Sequence, residues 1–221
     1  MTQQDVKQIS IRLLPDGFSY SDRFFPISPG PDFGRHLEEG ILNTRIAELE
    51  CSVHCSVETE RFSFSPADID EPTAEQMYRL TLPELTADEK LISETDNETG
   101  VRITYGIDRS LYFFLQRNMP EVSFSHPLMD LHREWSQKSE VKENCMIAET
   151  GSNTLDILVY IGGKLHFANR FEASSAGDRT YHIMNVWNIC NLDVLDHKIY
   201  LHTTSDELKF NVSHYIKQCE S

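Results

Sequence analysis

The chain has 221 residues, 39% hydrophobic and 25% charged, a composition that suits one large or two small globular domains. Asp and Glu outnumber Lys and Arg by 35 to 20, giving a formal charge of −15. That excess argues against nucleic acid and against anionic membrane surfaces, both of which are bound through Lys and Arg. No apolar run is long enough to cross a bilayer, and Met1 to Gln8 lacks the apolar core of a secretion signal, so a cytoplasmic location is expected. The five cysteines (Cys51, Cys55, Cys145, Cys190, Cys219) are scattered and odd in number, as expected of reduced thiols.

Ile9 to Leu13 alternates apolar and polar residues, the pattern of a half-buried strand. Asp16-Gly17 is a hairpin signal, and Phe18 to Phe24 alternates again. After Pro26, Pro29, Gly30 and Pro31, Asp32 is placed to cap a helix from Phe33 to about Glu50. Cys51 to Val57 and Arg61 to Phe64 read as a strand pair across Glu58 to Glu60. Thr73 with Gln76 matches a capping box for a helix through Leu80. Glu89 to Thr95 and Val101 to Gly106 can pair through Asn97 to Gly100, although Thr86 with Glu89 also fits a helix start. Asp108 caps a helix over Arg109 to Arg117. Val122 to Ser125 is a short strand, and Pro127 opens a helix with Leu128, Leu131 and Trp135 on one face. The charged stretch Gln137 to Glu143 lacks apolar anchors and places a boundary between domains 1–140 and 141–221.

The second half is more regular. Cys145 to Glu149, Thr154 to Ile161 and Lys164 to Phe171 form a three-strand meander, with Gly162-Gly163 as its tight turn. Gly177-Asp178 leads a helix to about Cys190, Ile199 to His202 is a strand, and Ser205 or Asp206 starts a last helix carrying Phe210, Val212, Tyr215 and Ile216.

Ile9 to Ser19, Leu155 to Glu172 with its Gly162-Gly163-Lys164 turn, Val186-Trp187 and Lys198 to His202 together resemble the bacterial family known as domain of unknown function 3822. The resemblance runs over nearly the whole chain. It implies an α/β (α+β) fold of two actin-like ATPase (ribonuclease H-like) subdomains, each a mixed β-sheet with flanking helices. The second half is also similar to pilus-assembly and cell-division actin homologues, which bind ATP between two lobes and often serve as peptide-binding scaffolds. Against that pattern the chain ends after its last helix, where a further strand is expected.

The resemblance makes Asn144 to Glu172 the second phosphate-binding hairpin. It implies Glu149 and Asp156 near a magnesium ion, with Gly151, Ser152 and Thr154 as donors to phosphate. Glycine admits an anion close to backbone N–H groups, and hydroxyls add further donors. The other parts of such a site are altered. The first hairpin, Leu14 to Ser19, is too tight to wrap a phosphate, and Pro15 has no N–H. Where a Gly-Gly turn would admit adenosine, the chain has His202-Thr203-Thr204.

Cys51, His54 and Cys55 cluster in sequence, but on a strand His54 faces away from both cysteines, and no second ligand pair follows. No P-loop, dinucleotide turn or Gly-x-Ser-x-Gly elbow is present. The acidic stretch Pro66 to Gly100 is a solvated face or a docking surface for a basic partner. Phe24-Phe25 and Tyr112-Phe113-Phe114 are candidate contact aromatics or core. The expectation is a non-catalytic scaffold that has lost its nucleotide and cofactor and binds a protein or peptide. The alternative is an ATPase or small-molecule kinase that uses ATP and Mg²⁺ through an atypical site.

Overall fold

The computed structural model describes residues 8–21, 23–28, 30, 32–48, 51–82 and 88–220. The chain divides into two compact units, Met1–Met129 and Asp130–Ser221, so the division falls ahead of the charged stretch that marks it in sequence.

In the first unit, β1 (Gln8–Leu14) pairs antiparallel with β2 (Gly17–Tyr20), which pairs antiparallel with β3 (Arg23–Pro26). Next comes α1 (Phe33–Asn43), which buries Leu37 and Ile41. It stops well short of Glu50. Thr44 Oγ1 donates to the Ile41 carbonyl, and Arg45 turns to a positive φ of 59°, which ends helical geometry. Asp32 precedes the helix but makes no side-chain cap. Leu49 and Glu50 lie outside the described residues.

The expected pairing across Glu58 to Glu60 does not form. β4 (Ser52–Val57) buries Val53, Cys55 and Val57 and runs parallel to β1. Glu58 stays with β1, donating its N–H to the Leu13 carbonyl and accepting from Arg12. The chain then leaves for a separate three-stranded sheet. There β5 (Phe62–Pro66) and β6 (Glu89–Asp96) flank β7 (Val101–Asp108), both antiparallel. The pairing of β6 with β7 is the one the sequence predicts, and Glu89 opens a strand; Thr86 lies outside the described residues. Between β5 and β6, α2 (Glu71–Thr81) is capped by Asp70, whose carboxylate accepts from the Thr73 N–H, so Thr73 lies inside the helix. Asp108 caps α3 (Arg109–Asn118) as expected. β8 (Ser123–Ser125) then closes the first sheet by lying parallel to β4.

α4 (Pro127–Ser136) leads into the second unit. β9 (Cys145–Thr150), β10 (Thr154–Ile161) and β11 (Lys164–Glu172) form the predicted antiparallel meander. Gly162 and Gly163 have φ of 56° and 80°, the left-handed pair that a two-residue hairpin turn needs. α5 (Ala176–Ile189) starts with a reciprocal capping box between Ser175 and Asp178, slightly ahead of the expected Gly177-Asp178 start. β12 (Lys198–His202) lies parallel to β9. Ser205 caps α6 (Asp206–Tyr215). The chain does not end there. β13 (Gln218–Glu220) adds a parallel edge strand beside β12, supplying the strand that the sequence reading leaves out.

The core of this unit packs Met146, Ile157, Val159, Ile183, Trp187, Leu201 and Val212 between one face of the sheet and α5 and α6. On α6, Leu208 and Val212 are buried, as is Ile216 just after it, whereas Phe210 and Tyr215 are exposed. The other face takes α4, with His132 stacked on Tyr160 and Trp135 against Tyr200.

Candidate functional site

The sequence-predicted residues gather at one end of the second sheet. β9 ends at Thr150, the loop 151–153 crosses, and β10 begins at Thr154. Register places Glu149 directly opposite Asp156, with His202 of β12 on the other side of Glu149. Both carboxylates and the imidazole therefore share a sheet face. Glu149 is exposed, and its Oε2 lies 3.9 Å from His202 Nδ1.

Asp156 is differently placed. It is buried, and Arg170 on β11 grips it with two bonds, Nε to Oδ1 at 2.7 Å and Nη2 to Oδ2 at 2.6 Å. This fork satisfies both carboxylate oxygens with a planar cation that is itself buried. A buried carboxylate left alone would be costly, so Asp156 and Arg170 each require the other.

The loop is held from behind. The guanidinium of Arg179 on α5 donates to the carbonyls of Ala173, Gly151 and Ser152 at 3.0, 2.8 and 3.1 Å. The Gly151 N–H donates to the Thr154 carbonyl at 2.9 Å. A Cβ on Gly151 would come within 2.3 Å of Thr154 Oγ1, so glycine here serves a close contact inside the loop. Ser152 remains exposed at the loop tip.

The segment 202–204, where adenosine is expected, is tied to the end of β9. Thr150 Oγ1 lies 3.0 Å from Thr203 Oγ1 and 3.2 Å from the His202 carbonyl. Thr203 Oγ1 in turn accepts the Ser205 N–H at 3.1 Å. The ends of β9 and β12 are thus joined by hydroxyls. In the first unit the corresponding turn is the two residues Pro15-Asp16 between paired Leu14 and Gly17, as tight as its sequence suggests.

Arg170 and Arg179 are the residues that the sequence does not single out as site elements. Arg170 is legible only through register. Counted from the Gly162-Gly163 turn, Asp156 would face Asn169. A bulge between Val159 and Tyr160 moves the pairing by one residue and brings Arg170 opposite.

The other constellations resolve simply. His54 places its two ring nitrogens 3.2 Å from Ser123 Oγ and 2.9 Å from Ser125 Oγ, bridging β4 and β8. Among the described residues no group of three His, Cys, Asp or Glu side chains could hold a metal ion. The cysteines are free thiols. Burial raises the pKa of the Cys55 thiol, and burial first, then Glu140 and Glu143, pushes that of Cys145 up to about 12. Neither is a nucleophile at neutral pH. Phe113 and Phe24 are exposed, while Phe114 is buried. No described helix is long and apolar enough to cross a membrane.

The family model described as protein of unknown function (DUF3822) matches residues 46–219. No curated protein matches the sequence. Among solved structures, a Bacteroides thetaiotaomicron VPI-5482 protein with an actin-like ATPase fold and unknown function aligns over 96% of this chain and 89% of its own. Its identity is 25% and its TM-score 0.79. A chain of the PilM–PilN type IV pilus biogenesis complex aligns over 98% of this chain and 88% of its own, at 10% identity and a TM-score of 0.53. The architecture is therefore the actin-like ATPase fold, two mixed sheets with flanking helices.

Proposed function

Because the chain belongs to the DUF3822 family and carries an actin-like ATPase fold, we propose that it is a non-catalytic interaction module whose nucleotide site has been converted into internal structure. The observation that carries this reading is the commitment of Asp156. A magnesium-nucleotide site needs hard oxygen ligands free to meet the ion. Both oxygens of Asp156 are instead engaged by buried Arg170. Thr150 and Thr203 bond one another at the adenosine end, and two loop carbonyls serve Arg179. The donors and acceptors of a phosphate cradle are, on this reading, spent within the protein.

The partner is a protein or peptide. The charge of −15 opposes nucleic acid and anionic membranes. The fold also occurs within a protein assembly, the PilM–PilN complex. The working location is cytoplasmic.

One observation supports a second reading. Glu149 is exposed beside the loop, with Ser152 at the loop tip. An atypical ATP and Mg²⁺ site, in an ATPase or small-molecule kinase, would use Glu149 at the metal with Gly151, Ser152 and Thr154 at phosphate; Asp156 would first have to leave Arg170. Isothermal titration with ATP and Mg²⁺ separates the two. The interaction-module reading expects no binding heat. Micromolar binding, lost in Glu149→Gln, establishes the second.

A further inference from the structure

A cavity of about 540 Å³ lies wholly within the first unit, between the β2–β3 hairpin and the C-terminal half of α1. Small-ligand pockets run from about 300 to 1,000 Å³. Its apolar walls are Phe18, Phe25 and Ile27. The Phe18 and Phe25 rings stack nearly parallel, 8° apart with centroids at 4.8 Å; Phe18 is fully buried, so half-buried Phe25 carries the aromatic face open to a ligand. Gly40 stands across from them in the middle of α1, where glycine is unfavourable. A Cβ there would lie 3.0 Å from Phe18 Cε1 and 3.6 Å from Ile27 Cδ1. The missing side chain lets the Phe18 ring pack directly against the helix.

The remaining lining includes Tyr20, Arg23 and Asn43. Among the described residues Arg23 makes no ion pair, and the Tyr20 and Asn43 side chains make no hydrogen bond. Neighbouring Thr44 differs, since its hydroxyl is spent on the Ile41 carbonyl at 2.6 Å. One arginine and two neutral hydrogen-bonding residues thus line the cavity together with Phe25. The complementary ligand has a flat apolar body and a single negative charge able to accept a forked hydrogen bond.

We propose that this cavity binds a small aromatic monocarboxylate, its ring against Phe25 and its carboxylate on Arg23. An extended peptide fits less well. β3 is an edge strand, but it is short and ends in Pro26, which has no N–H to offer an added strand. The inference concerns the first unit and stands whether or not the phosphate loop of the second has lost its nucleotide.

The test uses 2-naphthoate and its neutral counterpart 2-naphthamide as probes, titrated into the full chain and followed by calorimetry. Wild type should bind naphthoate at least about tenfold more tightly than naphthamide, the strength of one charge-assisted hydrogen bond. Arg23→Gln, at an exposed position, should erase that preference and leave naphthamide affinity unchanged. Phe25→Ala should weaken both probes alike. Absence of binding by either probe overturns the proposal. So does a preference for the acid that survives Arg23→Gln, because the carboxylate would then lie elsewhere.

Discussion

The two five-stranded sheets share one plan and differ at the same hairpin. Their orders, β3-β2-β1-β4-β8 and β11-β10-β9-β12-β13, each place an antiparallel meander beside two parallel strands. Between its first and second strands the first sheet has only Pro15-Asp16, whereas the second has the loop 151–153. The first hairpin lacks the amide donors of a phosphate loop. The second has a longer loop whose Gly151 and Ser152 carbonyls accept from Arg179, while Ser152 stays exposed at its tip. Strand patterning sets the architecture, and it is the same in both sheets although their first hairpins differ in length, because the cores beneath depend on neither loop.

The sharpest way to break this comparison is to remove the cation paired with Asp156 in the second sheet. Arg170→Ala leaves Asp156 buried and unpaired, and should cost about 3–5 kcal/mol in urea unfolding. A double variant, Asp156→Leu with Arg170→Leu, should recover most of it. The first unit offers a milder counterpart in Arg12 and Glu58, where the carboxylate is buried but the arginine is largely exposed. Arg12→Ala should cost about 1–3 kcal/mol. Equal losses would remove the distinction drawn between the units.

Arg179→Met keeps the aliphatic packing but frees three carbonyls. A loss of about 1.5–3 kcal/mol is expected, with faster amide exchange at 151–153. Thr203→Val removes the hydroxyl link between β9 and β12 and should cost only about 1 kcal/mol. Unchanged exchange in the Arg179 variant would mean that the loop is held by something else.

The smallest effect is a pH dependence shared by both units. Hydrogen bonds from Thr73 lower the pKa of Asp70, and those from Ser175 lower that of Asp178. A depressed carboxylate contributes stability above its unfolded pKa and loses it as pH falls through the folded one. Thermal scans should therefore show acid destabilisation below the ordinary carboxylate range, slightly flattened in Asp70→Asn and in Asp178→Asn.

Much of the fold was legible because its signals are local. Alternation marked β1, Gly162-Gly163 fixed the β10–β11 hairpin, and Asp108 announced α3. What sequence concealed was relational. β4 and Phe62 to Pro66 look like neighbours, yet burial on β4 suits a parallel interior strand, so each finds a partner elsewhere. Three residues, Gln218 to Glu220, were too short to read as a strand until β12 stood beside them. Glu149, Gly151, Ser152, Thr154 and Asp156 lie close together at the end of β9 and β10, as neighbours in sequence across one hairpin must. The commitment of Asp156 depended on a bulge that no residue pattern advertises.

The most direct test is a titration of isotope-labelled protein with magnesium-bound ATP, read at the backbone amides of Gly151, Ser152 and Thr203. If, as proposed, Arg170, Arg179 and Thr150 occupy the groups a nucleotide would need, these resonances should stay where they are at millimolar nucleotide. Saturable shifts at Gly151 and Thr203 would show that the loop still receives phosphate and that the adenosine end still opens, and would contradict the account.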